Sequence, residues 1–392
     1  MKEVVIVSGV RTAVGRANRG SLKSTRPDDM AALVLREVIK RAFVIDPVEV
    51  DDVILGCGYP ESSQGMNIGR RALILAGFPT SIPGQTVNRL CASGLQAIAI
   101  GAQQIMTGMS ETVIAGGTET MSLLPWMGFN ISLNRHIVEK NPKAHTPMGI
   151  TAENVADIYQ ISREDQDAFA LESNKKALAG IKEGRFREEI VPLEVKTIHV
   201  DEKGEQVEST KYFDVDEGPR ETSLEKLAQL KPVFKLNGTV TAGNSSQMSD
   251  GAAAVLLMSE EKAKEKKVEP IARFVGFAVA GCPPELMGIG PMYAVPKVMA
   301  VSGMKIQDMD VIELNEAFAS QALACIRHLG FDKEKINVNG GAIALGHPVG
   351  CTGAKLTVQI MHELKRRKGR YGLVTMCIGG GQGAASIFEN LA

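Results

Sequence analysis

Short apolar runs alternate with helix-period patterns through most of the chain, and that alternation predicts layered α/β structure. Val4-Val5-Ile6-Val7 opens as a buried strand, and Thr112 to Gly116 and Gly372 to Cys377 repeat the pattern. After Cys91, the residues Leu95, Ile98, Ala99, Ala102, Ile105 and Met106 recur at spacings of three and four. Gly108 supplies a stop, so an amphipathic helix is expected there. A similar pattern follows His347 through Leu356, Ile360 and Leu364. It ends in Lys365-Arg366-Arg367-Lys368-Gly369, basic groups at the negative end of a helix dipole.

Between about 121 and 245 the texture changes. Trp126-Met127 and the stretch from Asn134 to Pro147 read as loop. Ser162-Arg163-Glu164-Asp165 reads as a capping box opening a helix towards Gly180. Glu194 to Lys211, split by Asp201-Glu202-Lys203-Gly204, reads as an exposed hairpin. A second start follows near Pro270-Ile271, where Ala272-Arg273-Phe274-Val275-Gly276-Phe277 parallels the opening strand. Cys91 precedes Gly117 by the interval that separates Cys351 from Cys377. Duplication with an insertion in the first half fits these features, and the sequence does not require it.

At 392 residues the chain is too long for one ordinary core and long enough for two packed halves. A net charge of −1 advertises neither nucleic acid nor an anionic membrane as a partner. The cysteines at 57, 91, 282, 325, 351 and 377 form no CxxC, so neither a disulfide framework nor a zinc knuckle is expected. Reduced thiols in the cytosol are the simpler reading. No HExxH occurs, and no metal site is expected. No apolar run approaches the ~18 residues of a membrane span. The N-terminus carries no signal-peptide pattern and the C-terminus no retention signal.

Chemistry concentrates in a few loops. Cys91, in Asn88-Arg89-Leu90-Cys91-Ala92-Ser93-Gly94, stands at the first turn of its helix. Free amide groups and the positive dipole end there would lower a thiol pKa and favour a nucleophile. A small buried hydrophobe is the alternative use of such a cysteine. His347, in Gly340 to Gly350, precedes Pro348, which pushes it out of helical conformation into a tight loop. It is a candidate general base there, or a structural histidine. The run Met376-Cys377-Ile378-Gly379-Gly380-Gly381-Gln382-Gly383 can aim backbone N–H groups at an anion or a developing oxyanion. Its loose match to a dinucleotide fingerprint fails, because too little chain follows Ala384 for a βαβ unit. Asn315, in Glu313 to Phe318, can cap a helix or hold a water or a substrate carbonyl.

Together these segments resemble the thiolases over nearly the whole chain and in order. Asn88-Arg89-Leu90-Cys91-x-Ser93-Gly94 is similar to the nucleophile motif of that family. Asn315-Glu316-Ala317-Phe318, Gly340-Gly341-Ala342-Ile343-Ala344-Leu345-Gly346-His347-Pro348 and Cys377-Ile378-Gly379-Gly380-Gly381 are similar to its other three. The resemblance implies an α/β fold of thiolase type, a five-layer αβαβα architecture built from two similar βαβαβαββ halves. The expected divisions are residues 1–120 with 246–269, an inserted CoA-binding loop domain at 121–245, and 270–392. A homodimer or homotetramer is implied, with coenzyme A as co-substrate and no permanently bound cofactor. By the same resemblance Cys91 is the acyl-accepting nucleophile, His347 its base, and Cys377 the shuttle for the substrate α-proton. Asn315 with His347 would hold a water in one oxyanion hole, and the N–H groups of Cys91 and Gly379 would form the other. Ser246, in Thr241-Ala242-Gly243-Asn244-Ser245-Ser246, with Phe234, Phe318 and Arg220, matches coenzyme A contact positions.

Biosynthetic acetoacetyl-CoA thiolases often carry a histidine before Met-Gly in the loop domain, where this chain has Pro147-Met148-Gly149. That departure, with Asn244-Ser245-Ser246-Gln247, Met287-Gly288-Ile289-Gly290-Pro291 and Gly350-Cys351-Thr352-Gly353, resembles the degradative 3-ketoacyl-CoA thiolases of β-oxidation in a bacterial, cytosolic form. An acetoacetyl-CoA thiolase is the alternative. A decarboxylating ketosynthase would pair its cysteine with two histidines, whereas Cys377 stands where the second would be. A non-catalytic acyl-CoA or lipid-binding protein would have no need of Cys91, His347 and Cys377 together.

Overall fold

A computed structural model describes residues 1–200 and 204–392 of the chain. Its first half runs β1 (Val4–Thr12), α1 (Pro27–Arg41), β2 (Asp52–Gly56), α2 (Ile68–Leu75), β3 (Gly84–Val87), α3 (Ser93–Met106) and β4 (Thr112–Glu119). Two long helices follow, α4 (Met148–Ile158) and α5 (Arg163–Lys182), before β5 (Ser249–Ser259) closes the half. The second half repeats the sequence of elements with β6 (Ala272–Gly281), α6 (Gly290–Ser302), β7 (Val311–Leu314), α7 (Ala319–Leu329), α8 (Thr352–Arg367), β8 (Tyr371–Ile378) and β9 (Gln382–Asn390).

Strand order makes the duplication explicit. The sheet reads β7-β8-β9-β6-β1-β5-β4-β2-β3. In each half the first strand pairs antiparallel with the last, which pairs antiparallel with its predecessor, which pairs parallel with the next strand out. The place of β3 is taken in the second half by an isolated parallel bridge from Ile312 to Ile336. Where β1 meets β6, only Val5↔Arg273 and Ile6↔Ala272 join the two half-sheets.

Alternation of side chains along each strand then fills three separate cores. Val5 and Val53 face α1 at Met30 and Leu35, while Val4 and Ile6 face the other way. There they meet Leu95 and Ile98 of α3, Leu356 and Ile360 of α8, and Val374 and Met376 of the other half-sheet. Ile312 and Leu373 complete the stack against Val295 and Val298 of α6 and Ile326 of α7. The result is helix, sheet, paired helices, sheet, helix. Expected as amphipathic, α3 is instead buried nearly all round, because it is sandwiched between two sheets. It can approach α8 closely because both helices carry glycine at the crossing. A Cβ on Gly94 would lie 2.8 Å from Ala354 N, and one on Gly353 would lie 2.4 Å from Leu95 N. Backbone cannot yield as a side-chain tip can. Gly353→Ala should therefore cost about 1–3 kcal/mol, visible as a lower denaturant midpoint with an unchanged slope.

Three local expectations need correcting. The stretch from Asn134 to Pro147 contains a short helix, Arg135–Lys140, because the Asn134 side chain accepts from the N–H groups of His136 and Ile137. Only half of the capping box at Ser162 forms: Ser162 Oγ accepts from Asp165 N (3.1 Å), but the Asp165 carboxylate turns to Arg327. Asn315 caps nothing, since Phe318 is the residue before α7. Leu193–Val200 and Gln206–Phe213 do pair as antiparallel strands. The turn expected at Asp201-Glu202-Lys203 lies outside the described residues.

The segment from 121 to 245 packs across the second half. Ser320 Oγ donates to Ala152 O of α4 (3.0 Å). Ser173 Oγ of α5 donates to Glu316 Oε2 (2.7 Å) and accepts from Gly341 N (3.0 Å). Helices from one stretch of sequence thereby hold the loop that carries His347.

Candidate active site

Cys91 lies in a single 3-10 turn, Leu90–Ala92, between β3 and α3. Leu90 takes a positive φ of 44°, an unusual conformation for leucine. Local hydrogen bonds hold it there. Asn88 Oδ1 accepts from Leu90 N (2.8 Å), while Ser93 Oγ accepts from Arg89 N (2.9 Å) and donates to Leu90 O (2.6 Å). The Asn88 and Ser93 of the motif are thus the parts that build the turn.

Opposite this turn, β8 and β9 are joined by a hairpin whose Gly380 and Gly381 have φ of 80° and 83°. The hairpin brings the amide of Gly379 near Cys91, where it and the amide of Cys91 itself favour the thiolate. Cys377, the penultimate residue of β8, is fully buried and close enough to Cys91 for their charges to couple.

His347 follows the short helix Ala342–Leu345. Its main chain is pinned where His347 N donates to Gln247 O (3.0 Å) and Ser249 Oγ (3.2 Å). Its Nδ1 lies 2.6 Å from Thr352 Oγ1, and that hydroxyl donates its one hydrogen to Pro348 O (2.9 Å). The hydroxyl is therefore an acceptor towards the ring, which places the imidazole hydrogen on Nδ1. Asn315 Nδ2 sits 3.4 Å from Nε2, in agreement with a bare nitrogen there. Asn315 Oδ1 is buried without a hydrogen-bond partner, an acceptor free for a group entering the site.

These four side chains converge although they come from both halves. Cys91, His347 and Cys377 line one pocket of about 360 Å³ with Pro147, Met148, Phe234, Ser246, Met287 and Phe318. Phe234 and Phe318 meet edge to face, 6.1 Å between centroids. Arg220 is outside that lining and exposed, its N–H donated to Asn174 Oδ1 (3.1 Å).

Electrostatics corrects one expectation. Burial pushes the Cys91 thiol up to about 11, against the two N–H groups that favour its thiolate. Burial, then the positive charge of Lys355, holds His347 down at about 4. At neutral pH the pair rests as thiol and neutral imidazole, since taking both charges out of water costs more than one turn of helix returns. Burial likewise raises Cys377 well above the usual thiol range.

Sequence reading missed two supports. Thr352 sets the tautomer of His347, and its only signal is a hydroxyl five residues downstream. Glu119 ends an otherwise uncharged buried strand, which was the visible clue. It accepts from Gly58 N (2.7 Å), Gly350 N (2.7 Å) and Gln64 Nε2, and so ties the end of β2 to the His347 loop. Among the described residues, no cluster of three or more histidines, cysteines or carboxylates is arranged to hold a metal, and no helix is long and apolar enough to cross a membrane.

Comparison with known proteins places this geometry. Residues 4–261 match the thiolase N-terminal domain and residues 268–390 the thiolase C-terminal domain. A protein of Bacillus subtilis named 3-ketoacyl-CoA thiolase is 53% identical over 390 residues, covering 99% of this chain and 100% of that one. One of Pseudomonas aeruginosa named acetyl-CoA acetyltransferase is 46% identical over 398 residues, covering 98% of each. The crystal structure of a Bacillus anthracis acetyl-CoA acetyltransferase superposes with a TM-score of 0.90 at 44% identity, covering 100% of this chain and 99% of that one.

Proposed function

The chain belongs to the thiolase family, and within it we propose that this acyltransferase cleaves 3-ketoacyl-CoA with coenzyme A, releasing acetyl-CoA and a shortened acyl-CoA. The observation that carries the reading is the convergence of Cys91, His347 and Cys377 on one largely apolar pocket. The geometry supports the following roles. Cys91 Sγ attacks the ketone carbon as its proton passes to His347 Nε2, the bare nitrogen. The bond between C2 and C3 breaks, and the departing enolate takes a proton from Cys377. Asn315 and His347 serve the enolate oxygen through a water, and the N–H groups of Cys91 and Gly379 serve the oxygen of the acyl group on Cys91. Coenzyme A then gives its thiol proton to Cys377 and takes the acyl group, and Cys91 recovers its proton from His347. Run backwards, the same groups perform a Claisen condensation.

Ser246, Phe234 and Phe318 line the pocket and would contact the pantetheine arm. Arg220 would act further out, at the phosphate-bearing end. We also propose a homodimer or homotetramer in the cytosol. In support, β3 is a terminal strand of the sheet that a second copy can cover, and all six cysteines are free thiols.

The degradative subtype is favoured by the 53% identical relative and by Pro147, which lines the pocket where a polar residue would favour a short substrate. Each buried methylene should add up to about 0.8 kcal/mol, close to fourfold in the specificity constant. Thiolysis followed by loss of the 3-ketoacyl-CoA absorbance should show a higher kcat/KM for 3-ketohexanoyl-CoA than for acetoacetyl-CoA. A steep fall beyond four carbons would mark an acetoacetyl-CoA thiolase, and no turnover with any chain length would leave only a binding protein.

A further inference from the structure

We propose that Arg89 is a positioning residue: its guanidinium ties the turn carrying Cys91 to the hairpin carrying Gly379, and so fixes where the Gly379 amide stands beside the nucleophile. The inference rests on the thiolytic reading above, in which that amide serves the oxygen of the acyl group.

Arg89 stands two residues before Cys91, and its main chain belongs to the turn, since its N–H donates to Ser93 Oγ (2.9 Å). Its side chain leaves the turn in two directions. Nε donates to Gln96 Oε1 (2.7 Å), on a buried side chain in the first turn of α3, and Nη1 donates to Gln382 Oε1 (3.2 Å). Gln382 opens β9, three residues after Gly379. A planar guanidinium serves both partners at once and holds them in a fixed relation, which a flexible ammonium would not do. One fork therefore spans the start of the helix behind Cys91 and a hairpin from the other half of the chain.

Leu90 adds a second contact of the same sense. A Cβ built on Gly379 would lie 2.9 Å from Leu90 Cδ1, so that side chain lies over the Gly379 backbone. The positive φ of Leu90 belongs to the turn that presents it there.

The hairpin needs such a hold. Gly380 and Gly381 follow Gly379 at positive φ, and glycines leave a loop more conformational freedom than any other residue. Cys282 N, just past β6, donates to Gly381 O (2.8 Å) and secures the tip. That bond refers the tip to its own half of the chain, whereas Arg89 and Leu90 refer the hairpin to Cys91. The reference matters because a displacement of about 1 Å at a reacting centre costs on the order of a hundredfold in rate.

The test follows acetylation of Cys91 over a series of acetyl-CoA concentrations, which separates the saturating rate from the half-saturating concentration. Arg89→Met should lower the saturating rate by about 10- to 100-fold. The half-saturating concentration should stay within about threefold of the parent, because Phe234, Ser246 and Phe318 stand on other elements. Gln382→Leu should give a loss of similar size although Arg89 keeps its charge. Combined, the two should lose no more than the larger single loss, the mark of groups that act through one contact. A saturating rate within about twofold of the parent in either single variant would overturn the tie, as would losses that multiply in the double variant. Where circular dichroism shows that Arg89→Met does not fold, Gln382→Leu applies the same test from the hairpin side. A parent that takes no acetyl group on Cys91 would overturn the thiolytic reading and the tie with it, so the two failures are told apart.

Discussion

Cys91→Ala should abolish covalent acetylation and reduce thiolysis by about 10⁵-fold or more, the scale seen when a nucleophile is removed from a constellation that works as a unit. Incubation with acetyl-CoA and rapid acid quench, followed by peptide mass spectrometry, reads it directly. The parent should carry an acetyl group on the peptide containing Cys91 and the variant none. Alkylation alone would not decide, because Cys91 and Cys377 line the same pocket. An adduct found only on Cys377 would exchange their roles. The expected loss is large because the amides of Cys91 and Gly379 favour a thiolate at position 91, which the variant lacks.

His347→Ala should slow acetylation of Cys91 by about 10²–10⁴-fold, the usual worth of a positioned base. The size of the effect follows from a thiol held up at about 11, which at neutral pH ionises only when Nε2 takes its proton. The pH profile carries the sign. A histidine held down at about 4 stays in its basic form well below the ordinary imidazole value of about 6.5. Acetylation by the parent should therefore hold its rate as pH falls through 6.5, and decline only as His347 begins to protonate. An acid limb centred at or above 6.5 would refute a buried neutral base. Cys377→Ala should spare acetylation more than it spares condensation, since its proposed task is the α-proton. Equal losses in both steps would make Cys377 a support of the hairpin instead.

The elements legible in advance were those whose periodicity reflects burial on both sides of a repeated unit. The strands at Val4, Thr112 and Gly372 and the helices after Cys91 and His347 are of this kind. What periodicity could not show was that α3 has almost no wet face, because two sheets enclosing one helix leave a pattern that still reads at spacings of three and four. The ion balance at Cys91 was missed for a related reason. A sequence displays the helix start that favours a thiolate, and only the packed structure displays the burial that opposes it. Asn315 read equally as a cap or a ligand group, and a helix that begins four residues later removes the first use. Glu119 touches the backbone of the His347 loop from a position remote in sequence, and Thr352, only five residues from His347, meets the ring through a hydroxyl that nothing local marks.

The division of the site between two like halves has a consequence for synthesis on the ribosome. Cys91 emerges with the first half, whereas Asn315, His347 and Cys377 arrive only with the second, most of it after β6 has been made. Domains tend to fold in the order in which they are translated. A nascent chain released early would therefore lack both a base to activate Cys91 and the Gly379 amide beside it. Reactivity is withheld until the chain is finished, so premature termination yields an inert fragment rather than an unregulated acyl carrier.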